Sequence, residues 1–263
     1  MRLSAAGKTD RGRVRPHNED ALLVDCRRGL LAVADGMGGH AAGEVASKLA
    51  VDALSEVVAE SPSEPTHVPE LLRGTVELAN RKIAEKIQAH PEYHGMGTTL
   101  VVGLTLGDRI WIAHVGDSRA YLIRDESIEQ LTSDHSFVNE LVRLGMLSKE
   151  EAARDPRRNV VTRALGSGAV VIPDVVEHAV EAGDIVLLCS DGLSSMLDDK
   201  SILSTVRGSA EDLEQCCRRL IEAANDAGGE DNVTVVVAAV GAVEEPCDDE
   251  ATLVPDPSQP ESP

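Results

Sequence analysis

Residues 19–36 read EDALLVDCRRGLLAVADG and contain two short apolar runs on either side of a polar turn. Runs of this length and composition are typical of β-strands, and the turn between them predicts an antiparallel hairpin. The two strand candidates are Ala21 to Asp25 and Gly29 to Ala34. In a hairpin the start of the first strand neighbours the end of the second. The pattern therefore predicts that Glu19 and Asp20 lie beside Asp35.

Outside this hairpin, apolar residues recur at helical spacing in some segments and at strand spacing in others. Steps of three and four residues predict amphipathic helices at Gly43 to Glu60, from Leu72 to Ile87 and from Leu213 to Ala224. Short apolar runs predict the strands Leu100 to Leu106, Ile110 to Val115, Ala120 to Ile123, Ile128 to Leu131, Val175 to Ala179, Asp184 to Ser190 and Val233 to Val240. We expect the first four of these strands to form one antiparallel meander. This order of elements predicts an α+β layered fold.

Residues 132–159 interrupt the strand pattern. A short helix that carries Phe137, Leu141 and Leu144 is predicted near the start of this segment. Its N-cap candidates are Asp134 and Ser136. We expect the segment to form an insertion over one end of the sheet.

The chain of 263 residues is strongly acidic. Its formal net charge of −20, from 45 acidic and 25 basic residues, argues against a nucleic-acid backbone or an anionic membrane as the main partner. Seven of the acidic residues lie in Glu244 to Pro263, which has no basic residue and is predicted to be a solvated tail. The remaining charge suits bound divalent cations, and it is equally consistent with solubility alone.

Cysteine usage and hydropathy indicate a cytoplasmic chain. The five cysteines have no C-x-x-C spacing, and we interpret them as reduced structural residues: Cys26, Cys189, Cys216, Cys217 and Cys247. No apolar run approaches the roughly 18 to 20 residues of a membrane span, and the N-terminus is polar rather than signal-like.

Aspartates follow or precede several of the predicted strands. The runs LLAVADG, IWIAHVGD and IVLLCSDG each end with an aspartate next to a glycine, at Asp35, Asp117 and Asp191. A fourth aspartate, Asp231, opens the run DNVTVVVAAV. Because antiparallel neighbours run in opposite directions, their ends and starts can share one edge of a sheet. Grouped carboxylates repel unless cations neutralise them, and such oxygen ligands select Mg²⁺ or Mn²⁺ over zinc. The alternative is that each Asp-Gly pair is simply a turn.

Two further residues fit a site that binds a phosphate through metals. Gly36 has no side chain to keep its carbonyl away from a cation. Arg15 lies five residues before Asp20, and its guanidinium can bind a phosphate through two parallel hydrogen bonds. An arginine in a loop is, however, more often only solvated.

Seven segments of the chain carry a family pattern. They are RPHNED (15–20), VADGMGGH (33–40), GMGTTL (95–100), HVGDSRAYL (114–122), LTSDHSFVNELVRLG (131–145), LLCSDGL (187–193) and GGEDNVTVV (228–236). In this order they resemble the metal-dependent serine/threonine protein phosphatases of the 2C type, particularly the bacterial members. The resemblance runs from about Asp10 to Val240.

This resemblance implies a four-layer α-β-β-α sandwich with two central antiparallel sheets flanked by helix pairs. It implies one phosphatase domain over residues 1–243, with a mobile flap at about 132–159 that influences substrate choice, and a tail at 244–263. The flap residues within the matching segment are Ser136, Phe137, Leu141 and Gly145.

The resemblance also implies a role for each candidate site residue. Two Mn²⁺ or Mg²⁺ ions would occupy the core site, bridged by Asp35 and contacted by the Gly36 carbonyl. Asp191 and Asp231 would complete the coordination shell of one ion. Glu19 and Asp20 would coordinate the other ion, directly or through bound water. Arg15 would bind the phosphate. Asp117 and Asp191 would bind a third ion with lower affinity.

The implied reaction is hydrolysis of phosphoserine and phosphothreonine on proteins by attack of a water that bridges the two metals, without a phosphoenzyme. The expected partners are phosphorylated proteins, including serine/threonine kinases and their substrates, and the expected state is a monomer. Two alternatives stay open: a non-catalytic binding module, and an enzyme for one small regulatory phosphoprotein. The long flap favours the broader, kinase-opposing type.

One position departs from the eukaryotic pattern, in which histidine follows the Asp-Gly pair. Met37 stands there instead, so the identity of the general acid is open. His40 is the nearest candidate by sequence, although a histidine after a glycine loop is more often a packing residue. The other histidines show no metal spacing and are interpreted as structural or surface residues: His17, His67, His90, His94, His114, His135 and His178. Thr98 and Thr99 are interpreted as core residues rather than nucleophiles.

Overall fold

The computed structural model describes residues 1–38, 42–60, 67–168 and 170–242. The strands in these residues are β1 (Arg2–Asp10), β2 (Asp20–Asp25), β3 (Leu30–Met37), β4 (Gly97–Thr98), β5 (Leu100–Leu106), β6 (Arg109–Val115), β7 (Arg119–Arg124), β8 (Ser127–Gln130), β9 (Asp174–Ala179), β10 (Ile185–Cys189) and β11 (Val233–Gly241). They form two sheets, in the orders β1-β11-β10-β7-β8 and β2-β3-β5-β6-β9, with β4 paired to β3. Every paired register in both sheets is antiparallel.

Four of the helices in the same residues begin at a polar capping side chain. The helices are α1 (Gly43–Glu60), α2 (Val68–Ala89), α3 (Phe137–Arg143), α4 (Lys149–Ala152), α5 (Asp191–Ser194), α6 (Asp199–Arg207) and α7 (Leu213–Asp226), with a short 3₁₀ helix at Pro91–Tyr93. Ser136, Ser148, Asp198 and Asp212 cap α3, α4, α6 and α7 by accepting a backbone N–H of the first turn. Of the two caps predicted for α3, Ser136 is the one that forms. No helix in the described ranges is both long and apolar enough to cross a membrane.

Three apolar layers hold the sheets and helices together. The inner faces of the two sheets meet through residues such as Leu22, Val101 and Val236. Helices α1 and α2 cover the six-stranded sheet, and α6 and α7 cover the five-stranded sheet. Each fully buried leucine or isoleucine in these layers contributes roughly 1.5–3 kcal/mol. The predicted α+β sandwich with two antiparallel sheets is confirmed.

The predicted meander over residues 100–131 is wrong. Strands β5 and β6 pair in the six-stranded sheet, whereas β7 and β8 pair in the five-stranded sheet. The chain crosses between the sheets at residues 116–118, where Gly116 adopts φ +107°. Strands β6 and β7 are buried on both faces, so neither shows the polar alternation that would assign it to a sheet. Sequence spacing alone cannot distinguish such a crossover from a hairpin.

Strand β1 was not predicted from the sequence. It pairs with β11 over its whole length, from Arg2 opposite Gly241 to Asp10 opposite Val233. Because β1 is an edge strand, most of its residues are only half-buried, and its composition is polar. The hydrophobic pattern that marks the interior strands is therefore missing from it.

None of the four cysteines in the described ranges is part of a disulfide. Cys189, Cys216 and Cys217 are fully buried, and burial raises the pKa of each thiol to about 12, about 11 and about 12, respectively. This agrees with their interpretation as reduced structural residues. Cys247 and the predicted acidic tail lie outside the described residues.

Candidate metal centre

The β2–β3 hairpin places two acidic residues side by side. Asp20 is opposite Asp35 in the register, as the sequence predicts. The backbone N–H of Gly36 donates to the Glu19 carbonyl at 3.1 Å, which extends the pairing by one step. Asp35 lies inside β3, Asp117 lies in the crossover and Asp191 begins α5, so none of the three is in a hairpin turn. The alternative interpretation of these residues as simple turns is wrong.

Thr98 and Thr99 hold the backbone of Asp35. The Thr98 hydroxyl donates to the Asp35 carbonyl at 2.9 Å. The Thr99 backbone N–H donates to the same carbonyl at 2.9 Å, and the Thr99 hydroxyl accepts the Asp35 N–H at 3.1 Å. Both threonines are buried. Their interpretation as core residues agrees with these contacts.

Carboxylates from both sheets converge around Asp35. Burial raises the pKa of Asp35 well above its usual range, and the charges of Asp20, Asp191, Asp117 and Asp231 raise it further. Burial likewise raises the pKa of Asp20 and of Asp117 to about 7. Such shifts arise where several carboxylates share a desolvated site without a compensating cation. The site therefore has an excess of negative charge that a divalent cation would neutralise.

The two carboxylate oxygens of Asp20 have different surroundings. Oδ2 accepts hydrogen bonds from the Ser190 hydroxyl at 2.9 Å and from the Thr234 hydroxyl at 2.6 Å. Oδ1 is buried and has no hydrogen-bond partner among the described residues. An unpartnered buried oxygen of this kind costs free energy unless another group binds it. Asp20 is thus fixed through Oδ2, and its Oδ1 atom is available to bind a cation.

A directed chain of hydrogen bonds continues behind Asp20. The Thr234 hydroxyl gives its hydrogen to Asp20, so at 2.7 Å it accepts from the Thr9 hydroxyl. Thr9 in turn accepts from the Asn18 amide at 2.8 Å. Thr9 and Thr234 belong to the five-stranded sheet and Asp20 to the six-stranded sheet. The chain therefore connects the two sheets directly behind the carboxylate cluster.

Asp191 stands at the first position of α5, directly after β10. Burial raises its pKa, the charge of Asp231 adds to this, and a hydrogen bond shared with Asp35 partly offsets it. Its Oδ1 atom is buried without a hydrogen-bond partner in the described ranges. Asp191 therefore offers a second free oxygen to the same cluster.

Glu19 and Gly36 meet the start of α1. A Cβ atom on Gly36 would lie 2.3 Å from the carbonyl oxygens of Glu19 and Gly43, so only glycine fits there. Burial raises the pKa of the Glu19 carboxyl, and a hydrogen bond from the Gly43 backbone partly offsets this shift. The helix start thus holds the Glu19 side chain close to the backbone of Gly36.

Arg15 lies at the mouth of the cluster and contacts Asp231. One guanidinium nitrogen donates to Asp231 Oδ2 at 2.6 Å, and the side chain is 50 % exposed. Asp231 Oδ1 accepts the backbone N–H of Asn232 at 2.8 Å. The rest of the guanidinium makes no other hydrogen bond to a described residue. Its exposed position leaves it open to an anionic ligand.

Asn232 was not identified from the sequence, although it joins two parts of the site. Its side-chain oxygen accepts the Glu19 N–H at 2.8 Å. Its amide nitrogen donates to the carbonyls of Arg11 and His17, each at 2.9 Å. Asn232 therefore anchors both ends of the loop that carries Arg15. A buried amide with all its partners in distant backbone leaves no local sequence signal.

Asp117 lies between the carboxylate cluster and residues 132–159. It is 7 % exposed and borders, together with Asp191, a cavity of about 490 Å³. The Arg119 guanidinium binds both oxygens of Asp134 at 2.7–3.1 Å and so fixes the start of this segment. Residues 132–159 are called the flap below.

The flap residues predicted from the sequence make contacts within the flap itself. Ser136 caps α3, and the Arg157 guanidinium stacks over the Phe137 ring at 4.8 Å. Gly145, at φ +69°, follows the end of α3, and the next residue donates its N–H to the Leu141 carbonyl at 2.8 Å.

Two of the histidines form a cluster that sequence spacing did not reveal. The buried rings of His114 and His135 stack at 4.7 Å, and His135 Nε2 lies 3.3 Å from a carboxylate oxygen of Asp174. His135 Nδ1 accepts the Gly116 N–H at 3.1 Å, so Nε2 carries the hydrogen and donates to Asp174. Both ring nitrogens are thereby committed, and the ring braces the backbone before Asp117 instead of offering a lone pair to a cation. His40 lies outside the described residues.

The donor set fits a hard divalent cation. It consists of carboxylates and of a backbone glycine that tolerates close approach. Two of the carboxylates have a buried oxygen without a hydrogen-bond partner in the described ranges. Oxygen donors of this kind are the ligands of Mg²⁺ and Mn²⁺ in proteins. A cation would also remove the mutual repulsion that raises the pKa values in the cluster.

Known proteins resemble this chain in sequence. The chain is 44 % identical over 238 residues to the serine/threonine protein phosphatase PstP of Mycobacterium tuberculosis, covering 90 % of this chain and 45 % of PstP. It therefore spans about half the length of that relative. It is 40 % identical over 240 residues to the serine/threonine phosphatase Stp of Listeria monocytogenes, covering 89 % of this chain and 95 % of Stp.

A solved structure has the same fold. The catalytic domain of PstP in complex with two manganese ions superposes with a TM-score of 0.83 at 43 % identity, and the match covers 92 % of this chain and 99 % of that one. The family model of protein phosphatase 2C matches residues 15–233, which include all the candidate site residues identified above. This chain belongs to the protein phosphatase 2C family.

Proposed function

We propose that this chain hydrolyses phosphoserine and phosphothreonine esters on proteins. The observation that carries the proposal is the convergence of carboxylates from both sheets on Asp35. Within it, one buried oxygen of Asp20 and one of Asp191 have no hydrogen-bond partner among the described residues. Relatives that match most of this chain are named serine/threonine phosphatases. An isolated cluster of this charge would be costly to fold, so a cation-dependent activity accounts for its presence.

The same residues would hold the cations. The charges of Asp20, Asp191 and Asp231 all act on Asp35. Asp20 and Gly36 belong to the β2–β3 hairpin and Glu19 precedes it, whereas Asp191 follows β10 and Asp231 precedes β11. When bound, two Mn²⁺ or Mg²⁺ ions supply Lewis-acid charge that lowers the pKa of water and offsets the charge of the phosphoryl group. The manganese-bound PstP structure favours Mn²⁺ as the first ion to test. Asp117 and Asp191 are the proposed ligands of a third ion.

The chain's own groups bind and orient the phosphoester. Arg15 reaches the mouth of the site with a half-exposed guanidinium, and an arginine can bind two phosphate oxygens at once. Asn232 holds the loop that carries Arg15, so the guanidinium is positioned before the substrate arrives.

The proposal includes the domain bounds, the protein targets, the location and the oligomeric state. We place the catalytic domain at residues 1–243 and propose an acidic tail at 244–263. The proposed targets are serine/threonine kinases and their substrates, and the proposed state is a cytoplasmic monomer. The strongly negative net charge supports a protein substrate over a nucleic acid.

The test is hydrolysis of phosphoserine and phosphothreonine peptides by the metal-free protein before and after addition of Mn²⁺ or Mg²⁺. We expect turnover only with the cation, and a loss of at least about a hundredfold in Asp35→Asn and Asp191→Asn. Unchanged Mn²⁺-dependent turnover in either variant would contradict the proposal. Absence of Mn²⁺ binding by calorimetry would instead favour a non-catalytic binding module.

A further inference from the structure

A cavity of about 490 Å³ opens between the flap and the metal centre. Asp117 and Asp191 border it on the side of the metal centre. Residues of α3, α4 and the following turn border it on the flap side: Val138, Asn139, Val142, Lys149, Ala152 and Arg158. The size is within the range of pockets that bind small ligands or a few side chains. A peptide bound at the metal centre would have this cavity directly beside its phosphorylated residue.

The acidic groups in the cavity wall either have a cationic partner or belong to the carboxylate cluster. Asp134 is bound by the Arg119 guanidinium through both oxygens, and it also accepts the Gln130 amide at 2.8 Å. Asp117 and Asp191 belong to the carboxylate cluster that a cation would neutralise. None of these three acids is therefore left to balance a positive charge at the rim.

Two cations at the rim have no such partner. The side chains of Lys149 and Arg158 are exposed, and neither forms an ion pair or a hydrogen bond with another described residue. The adjacent Arg157 differs, since it binds Asp155 through two nitrogens. Lys149 and Arg158 line the same cavity, so together they place two positive charges at one rim. This rim is suited to an anionic group.

The wall between the rim and the floor is partly apolar. Val138, Val142 and Ala152 line it, and Val138 and Ala152 are buried. An aliphatic stem can lie along such a wall while its charged end reaches the rim. The cavity therefore matches a side chain with an apolar stem and an anionic end.

We propose that this cavity is a subsite for an anionic group next to the phosphorylated residue of the substrate, and that Lys149 and Arg158 recognise that group. The anionic group is a carboxylate side chain or a second phosphate. The proposal rests on the proposed phosphatase function and adds a substrate class to it: phosphoproteins whose target residue has an acidic or phosphorylated neighbour.

The experiment compares three phosphothreonine peptides that differ only in their flanks: neutral, glutamate-containing, and carrying a second phosphothreonine. p-Nitrophenyl phosphate, which has no flank, reports the basal reaction. The test variant is Lys149→Glu with Arg158→Glu. The matched control is Arg143→Glu with Arg154→Glu, which reverses the same charge on exposed flap residues outside the cavity.

For the unaltered chain we expect kcat/KM to be about three- to tenfold higher with an anionic flank than with a neutral one, since exposed ion pairs are individually weak. The test variant should lose this preference, and the control variant should keep it. Turnover of p-nitrophenyl phosphate should be the same in all three proteins. A preference for glutamate identifies a carboxylate subsite, and a preference only for the second phosphothreonine identifies a phosphate subsite.

Equal kcat/KM for all flanks in the unaltered chain would overturn the proposal. So would an equal loss of preference in the control variant, because the effect would then come from the overall charge of the flap. Fluorescence anisotropy of the labelled peptides on the Mn²⁺-loaded protein gives the same comparison without turnover. Failure of the phosphatase function would appear as no hydrolysis of any substrate, whereas failure of the subsite leaves p-nitrophenyl phosphate turnover intact.

Discussion

Thr234 of β11 donates a 2.6 Å hydrogen bond to Asp20 Oδ2 of β2, and this bond joins the two sheets at the candidate metal centre. The other oxygen of Asp20, Oδ1, is buried and has no hydrogen-bond partner in the part of the chain that the structure describes. Replacing a group that orients a metal ligand from behind typically weakens metal affinity by about ten- to a hundredfold.

Replacing Thr234 by valine keeps the volume and removes the hydroxyl. We expect Thr234→Val to weaken Mn²⁺ binding by about ten- to a hundredfold, because Asp20 loses one of the two donors that orient it. Calorimetric titration of the metal-free protein with Mn²⁺ gives the affinity directly. Thr234→Ser should restore most of it.

Thr105→Val is the matched control for this experiment. The Thr105 hydroxyl is buried in β5 and has no partner among the described residues, so its removal should leave Mn²⁺ affinity unchanged. If Thr234→Val bound Mn²⁺ as tightly as Thr105→Val, Thr234 would have no part in orienting the metal ligand.

The metal-free protein should lose stability as the pH rises from about 4 to above 7. Burial raises the folded-state pKa of Asp20 and Asp117 to about 7 and that of Asp35 well above its usual range. The folded protein therefore keeps these protons at pH values where the unfolded chain has released them. The resulting stabilisation is fully present below the unfolded pKa and disappears as the pH passes the folded pKa.

Denaturant unfolding in the presence of a chelator, at intervals from pH 5 to pH 8, measures this effect. In Asp35→Asn the free energy of unfolding should fall less steeply with pH, since one titrating group is absent. Mn²⁺ should stabilise the unaltered chain most at pH 8, where its ligands are deprotonated. Identical pH slopes for both proteins would mean that Asp35 is not perturbed in the folded state.

Arg15→Ala should raise the KM for phosphopeptides and weaken inhibition by inorganic phosphate. A hydrogen bond to a charged group contributes about 1.5–3 kcal/mol, which corresponds to roughly ten- to a hundredfold in kcat/KM. Arg13→Ala removes another exposed arginine of the same loop and should change KM little. An equal effect of the two substitutions would show that only the charge of the loop matters.

Asn232→Asp keeps the shape of the side chain and removes the donor to two carbonyls. The carbonyls of Arg11 and His17 would lose their partner, so we expect a loss of roughly 2–4 kcal/mol in the free energy of unfolding. Because these carbonyls anchor the Arg15 loop, KM should rise as well. Urea unfolding and steady-state kinetics on the same preparation check both effects, and an unchanged KM in a folded variant would separate Asn232 from the positioning of Arg15.

Much of the fold could be predicted because local patterns reveal it. The strand Leu100–Leu106 and the helix Gly43–Glu60 have the predicted bounds, since their apolar spacing matches one period throughout. The assignment of β6 and β7 to separate sheets could not be predicted, because both strands are buried on each face. Edge strand β1 was missed for the opposite reason, since it buries too few residues to show a pattern.

The sequence by itself determined the contact between Asp20 and Asp35, because hairpin register follows from two strands and the turn between them. It also carried the family pattern that groups Asp191 and Asp231 with them. Only the tertiary structure decided what holds these carboxylates and what faces them. Thr234 and Asp20 are 214 positions apart, and Asn232 binds Glu19 across 213. Such contacts depend on how the two sheets stack. The spacing of residues along the chain does not show which distant side chains come into contact when the sheets pack together.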